Sequence, residues 1–111
     1  VILCERGSRS FDPALRNQLD FGAVAIAKAS SHLPVMVDPS HAAGKRALVP
    51  PLACAGIAAG ADGLIVEAHP DPLKAYSDAA QQLESGRFAE FLDHIKPWLD
   101  VAEKQRRNRN T

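Results

Sequence analysis

Three short segments of this chain are apolar without interruption, and each breaks into charged or metal-ligating residues at its C-terminal side. They are Val1–Glu5 (VILCE), Leu33–Asp38 (LPVMVD) and Gly63–Glu67 (GLIVE). A strand with one face in water alternates apolar and polar residues; a parallel strand covered on both faces does not. Between the runs lie helical patterns. Asn17–Ala29 follows a cap and proline at Asp12-Pro13, and Leu48–Gly60 has Pro50 and Pro51 in its first turn and Gly60 as C-cap. A turn at Asp71–Ala75 follows the third run. Phe88–Val101 then carries Phe88, Phe91, Leu92, Ile95, Trp98 and Leu99 at spacings of 3, 4 and 7, which places Phe91 and Trp98 in a core. The order is β-α-β-α-β-α, the pattern of a doubly wound sheet or of part of a (β/α)8 barrel. A complete barrel needs about 250 residues, and this chain has 111. It has no initiator Met and opens inside an apolar run, so it reads as a piece of a longer protein.

The remaining composition narrows the function. There are 13 Lys+Arg against 13 Asp+Glu, a formal net charge of zero, which argues against nucleic acid and against a polybasic membrane surface as partners. The one biased run, Lys104–Arg109 (KQRRNR), reads as a solvated end, so residues 102–111 are expected to form a disordered polar tail after a single unit over 1–101. No apolar stretch reaches the ~18 residues of a membrane span, and no signal-peptide pattern opens the chain. Cys4 and Cys54 are two and far apart, which fits a reducing cytoplasm.

Active sites of both candidate folds form at the C-terminal ends of parallel strands. The polar clusters there are Cys4-Glu5-Arg6-Gly7, Asp38-Pro39-Ser40-His41 and Glu67-Ala68-His69. His41, Glu67 and the later Asp78 form a set suited to Mn, Fe, Co or Zn with positions left open for substrate. The plainer reading has His41 capping a helix start and Asp78 ending a loop. Arg6 beside Gly7 could hold a phosphate in a bidentate grip, or pair at the surface with Glu5 or Asp38. Ala43-Gly44-Lys45-Arg46 lacks the first Gly and the Ser/Thr of a P-loop. His32 and His94 read as solvent-facing, and Cys54 as a small packed residue.

Five segments carry a resemblance to a known family. They are Leu3-Cys4-Glu5-Arg6-Gly7, Leu15-Arg16-Asn17-Gln18-Leu19-Asp20, Val37-Asp38-Pro39-Ser40-His41, Asp62–Pro70 (DGLIVEAHP) and Ala75-Tyr76-Ser77-Asp78. In colinear order, over Val1 to about Leu99, the chain closely resembles the C-terminal part of 3-deoxy-D-arabino-heptulosonate 7-phosphate (DAHP) synthases. The match is to the class related to 3-deoxy-octulosonate 8-phosphate synthase. Asp-Pro-Ser-His with the Gly and basic residue that follow favours the heptulosonate enzyme. The resemblance implies a (β/α)8 barrel of which these are the last three βα units, strands 6–8. It implies condensation of phosphoenolpyruvate with erythrose 4-phosphate to DAHP and phosphate, the first step of the shikimate pathway to aromatic amino acids. It further implies a divalent metal held by Cys, His, Glu and Asp, the last three matching His41, Glu67 and Asp78. The family's Cys lies on the first strand and matches neither Cys4 nor Cys54. The Arg of its Cys-Glu-Arg-Gly segment contacts the phosphoenolpyruvate phosphate and matches Arg6. The cationic residues of the second, fourth and fifth strands have no counterpart here. The full-length enzyme is expected to be a homo-oligomer, and the 111 residues alone are expected to lack synthase activity and to self-associate, aggregate or pair with a complementary fragment. The alternatives are an inactive metal- or anion-binding remnant and an aldolase of the octulosonate type.

Overall fold

In the computed structural model, residues 1–9, 11, 16–75 and 79–109 are described. Three strands, β1 (Leu3–Glu5), β2 (Val35–Val37) and β3 (Gly63–Leu64), form one parallel sheet in that order. Leu3 pairs with Val35, Glu5 with Val37, and Val37 in turn with Leu64. The expected strands were longer. Past the end of β3, Ile65 N–H still donates to the Val37 carbonyl at 2.9 Å. Beyond Glu67 the chain leaves this sheet and forms a second parallel pair, β4 (Ala68–His69) with β5 (Leu83–Glu84). Nothing in the hydrophobic pattern announces that pair, since two residues per strand are too few for a period to register.

Helix α1 (Phe21–Ser30) starts later than the apolar pattern suggests. Asn17 N–H is already donated to the Ala42 carbonyl, and Gln18 exchanges two main-chain bonds with Ser8, so neither can enter a helix. Asp20 takes the N-cap, its Oδ1 accepting from Ala23 N–H at 2.8 Å. The expected start at Asp12-Pro13 lies outside the described residues. Helix α2 (Pro39–Ala43) is a single turn that ends at Gly44, which sits at φ +69° with Arg16 against it. Helix α3 (Val49–Ala58) has Pro50 and Pro51 in its first turn and is followed by Ala59 and Gly60.

Helix α4 (Phe88–Arg109) runs eight residues beyond the expected end at Val101, so the segment read as a disordered tail is helical as far as Arg109. The residues there are strong helix formers, and Lys96–Asp100 and Glu103–Arg107 pair at i, i+4. Two apolar clusters result. The larger joins Ala43, Val49, Ala53, Cys54, Ile57, Leu83, Phe91 and Ile95; the smaller packs Val24 of α1 against Val35, Val37 and Ala61. Phe91 and Ile95 are buried as expected. Trp98 is a correction: it is 41% exposed and stacks on exposed His94, 5.9 Å between centroids. The arc of α4 that faces α3 runs through Phe91, Ile95 and Ala102, and Trp98 falls at its edge.

Candidate functional site

Each strand of the sheet delivers polar side chains to the same end. After β1 comes Arg6, after β2 come Asp38 and His41, and past β3 comes Glu67. Asp38 is the pivot. It is 2% exposed, its N–H donates to the Glu5 carbonyl, and it caps α2 through Oδ1, which accepts from His41 N–H at 3.1 Å. Its Oδ2 accepts from His41 Nδ1 at 2.5 Å and lies 3.4 Å from Arg6 Nε. Pro39 at the first helical position fixes the backbone direction and gives up an N–H that needs no partner there. One turn of helix thus points the imidazole back onto its own cap.

With Nδ1 committed to Asp38, Nε2 is the nitrogen that faces Glu67, and it meets Glu67 Oε1. Glu67 is held by its backbone: its N–H donates to Ser40 Oγ at 3.0 Å, and its carbonyl accepts from Leu83 N–H at 3.0 Å. Its Oε1 also accepts from Gln81 Nε2 at 3.3 Å, and Gln81 Oε1 accepts from Arg16 at 2.9 Å. Ser40 and Gln81 are both buried, at 0% and 1% exposure. Arg6 remains 60% exposed in its side chain while touching Asp38.

The structure therefore brings Arg6, His41 and Glu67 to one place, and Asp78 lies outside the described residues. Among the described residues no three His, Cys, Asp or Glu side chains gather as a metal-binding group. His41 and Glu67 by themselves fit the requirement for two donors. A carboxylate on the far nitrogen fixes the ring as metal-bound histidines are usually fixed, and an imidazole nitrogen against a carboxylate oxygen is a pair a cation can share. Sequence reasoning missed Ser40, Gln81 and Arg16 as parts of this arrangement. Ser40 could have been found as the residue between the capping Asp38 and His41. Gln81 had no local signal, because its partners are 14 and 65 positions away.

A cleft of about 440 Å³ lies between the starts of α3 and α4, lined by Arg46, Pro50, Leu83, Arg87, Phe91 and His94 among others. It shares no residue with the cluster around Asp38. Arg46 there is occupied in holding main chain, Nε on the Gln82 carbonyl and a terminal nitrogen on that of Ala79.

Parallel strands, intervening helices and a polar cluster at the strand ends define an α/β protein whose site is assembled from successive βα units. The chain belongs to the DAHP synthetase I family, whose model matches residues 1–102. It is 53% identical over 101 residues to the phospho-2-dehydro-3-deoxyheptonate aldolase of Thermotoga maritima, covering 91% of this chain and 30% of that protein. A 2-dehydro-3-deoxyphosphooctonate aldolase from Cronobacter sakazakii is 39% identical over 115 aligned positions, covering 93% and 40% respectively. A solved truncated form of 3-deoxy-D-arabino-heptulosonate 7-phosphate synthase from Thermotoga maritima superimposes with a TM-score of 0.85, over 90% of this chain and 38% of that one. The chain spans 30–40% of the length of these curated relatives. None of its described helices is long and apolar enough to cross a membrane.

Proposed function

We propose that these residues are the sixth to eighth βα units of a (β/α)8 DAHP synthase, which condenses phosphoenolpyruvate with erythrose 4-phosphate and water to give DAHP and inorganic phosphate. The observation that carries this reading is the meeting of Arg6, Asp38, His41 and Glu67 at the C-terminal end of three parallel strands. His41, Glu67 and Asp78 would hold a divalent metal (Mn, Fe, Co or Zn), which supplies Lewis acidity for polarising the aldehyde or activating a water. Arg6 binds the phosphate of phosphoenolpyruvate through its exposed guanidinium edge, with Asp38 setting the direction of the side chain. Asp38 also keeps His41 in one orientation, so the ring costs no reorganisation when substrate arrives. The rest of the phosphate-binding groups belong to the other units of the barrel. The complete enzyme acts in the cytoplasm as a homo-oligomer, with neither nucleic acid nor membrane as a partner.

The octulosonate aldolases at 39% identity favour a second reading that differs only in the aldehyde. A seven-carbon product needs a four-carbon aldose phosphate, and an eight-carbon product a five-carbon one. A chimera decides between them: this chain replaces the matching segment of the Thermotoga maritima relative, and phosphate release from phosphoenolpyruvate is assayed with each aldose phosphate. We expect turnover with erythrose 4-phosphate and none from the 111 residues alone. Turnover only with the five-carbon substrate selects the second reading, and a folded chimera inactive with both removes the catalytic one. In the active chimera, Arg6→Ala is expected to raise the KM for phosphoenolpyruvate and lower kcat, because phosphate contacts also place the reacting carbon; unchanged kinetics would take Arg6 out of the site.

A further inference from the structure

We propose that Gln81 is a positioning residue for this site, a buried amide that fixes which way the Glu67 carboxylate faces. The inference rests on the metal reading above. Gln81 ends a short turn, Ala79–Gln81, two residues before Leu83 bonds the Glu67 carbonyl. At 1% exposure its amide depends on protein partners, and burying a primary amide without them is costly. It has one on each side: Nε2 donates to Glu67 Oε1, and Oε1 accepts from Arg16. An amide is the side chain that offers a donor to an anion and an acceptor to a cation at once. The two partners also settle its orientation, because the flipped amide would set oxygen against carboxylate and NH2 against guanidinium.

The terminal torsion of a glutamate is soft, so a carboxylate held only by its stem turns freely. Gln81 removes that freedom at the oxygen that meets His41 Nε2. Each of the two donors among the described residues thus has its own buried orienting group, Asp38 for His41 and Gln81 for Glu67, at 2% and 1% exposure. The first lies three residues from its partner and the second fourteen.

The test uses Co²⁺ as the probe and, as the protein, the full-length chimera described above, whose unsubstituted form is the wild type here. Affinity and the saturated visible absorption spectrum are recorded for the wild type, His41→Ala, Glu67→Ala, Gln81→Met and Arg16→Met, with folding followed by circular dichroism. His41→Ala and Glu67→Ala should abolish binding. Gln81→Met should weaken it about 10–100-fold, the usual cost of losing a group that orients a ligand, and should change the saturated spectrum because Glu67 then binds in another manner. A purely structural role would lower the folded fraction and leave the saturated spectrum unchanged. Arg16→Met, at an exposed position, should weaken binding less and add nothing in the Gln81→Met background. Wild-type affinity and spectrum in both Gln81→Met and Arg16→Met would overturn the positioning role. No binding by the wild type, or unchanged binding in His41→Ala and Glu67→Ala, would overturn the metal reading and the inference with it.

Discussion

Strands β1 and β2 are built from the same kind of sequence and live in different surroundings. In β2, Val35 and Val37 are 2% and 0% exposed. They lie between two strands, with α1 on one side and with Gly56 of α3 close enough to touch Val37. In β1 and its lead-in, Val1, Ile2 and Leu3 are 95%, 64% and 36% exposed. Among the described residues, β1 has a strand partner on one side only. An unbroken apolar run states what a strand is made to be covered by; whether it is covered depends on neighbours the run does not encode.

Substitutions can break this contrast or sharpen it. The largest effect is expected at the centre of β2. Val37→Asp places a carboxylate with no partner in a fully buried position and should cost at least about 4 kcal/mol, seen as loss of a cooperative urea transition. A smaller effect is expected where α3 rests on that strand. A Cβ on Gly56 would lie 3.0 Å from Val37 Cγ1, so Gly56→Val should push helix from sheet and cost about 1–3 kcal/mol by chemical denaturation.

Weaker still is the tie at the base of β2, where Asp62 accepts from Val35 N–H at 2.8 Å and from Lys28 at 2.8 Å. Burial works to raise the Asp62 carboxyl, but Lys28, the Val35 amide and Arg106 together hold it below the usual carboxylate range. A carboxyl lowered by folding stabilises the fold above its unfolded value and loses that contribution as the pH falls through its folded value. Stability measured by urea titration should therefore decline below about pH 4. Lys28→Met should flatten that decline while costing about 0.2–1 kcal/mol near neutrality. The smallest change in stability is expected in the lead-in to β1: Ile2→Lys should stay within about 0.5 kcal/mol. The same substitution should reduce self-association in sedimentation velocity, since a lysine on an open strand edge discourages pairing. An Ile2→Lys variant as unstable as Val37→Asp would mean that β1 is not an edge.

The strand order and the polar strand ends were legible in the sequence because they are local. Asp38-Pro39-Ser40-His41 was legible as a polar strand end running into a helix start, although the cap falls on Asp38 and not on His41, whose ring folds back onto it. Glu67 was legible as the end of an apolar run, though its strand stops at Leu64 and the chain changes sheets around it. What could not be read was whatever depends on residues far apart. Gln81 reaches back to Arg16, and Asn17 is taken from α1 by Ala42. Trp98 fits the helical stripe, yet the arc that α3 covers is narrower than the stripe.

Glu67 is joined to its surroundings through its peptide groups, with Ser40 on one side and Leu83 on the other. The place is thus kept by atoms that every residue except proline possesses in full. Exchanging the carboxylate would leave those two peptide bonds in place, and its cost to the fold would fall on the buried Gln81 amide, which would lose the oxygen it donates to. The side chain at position 67 and the path of the main chain through it are therefore secured separately, the second by partners that no substitution at 67 other than proline removes.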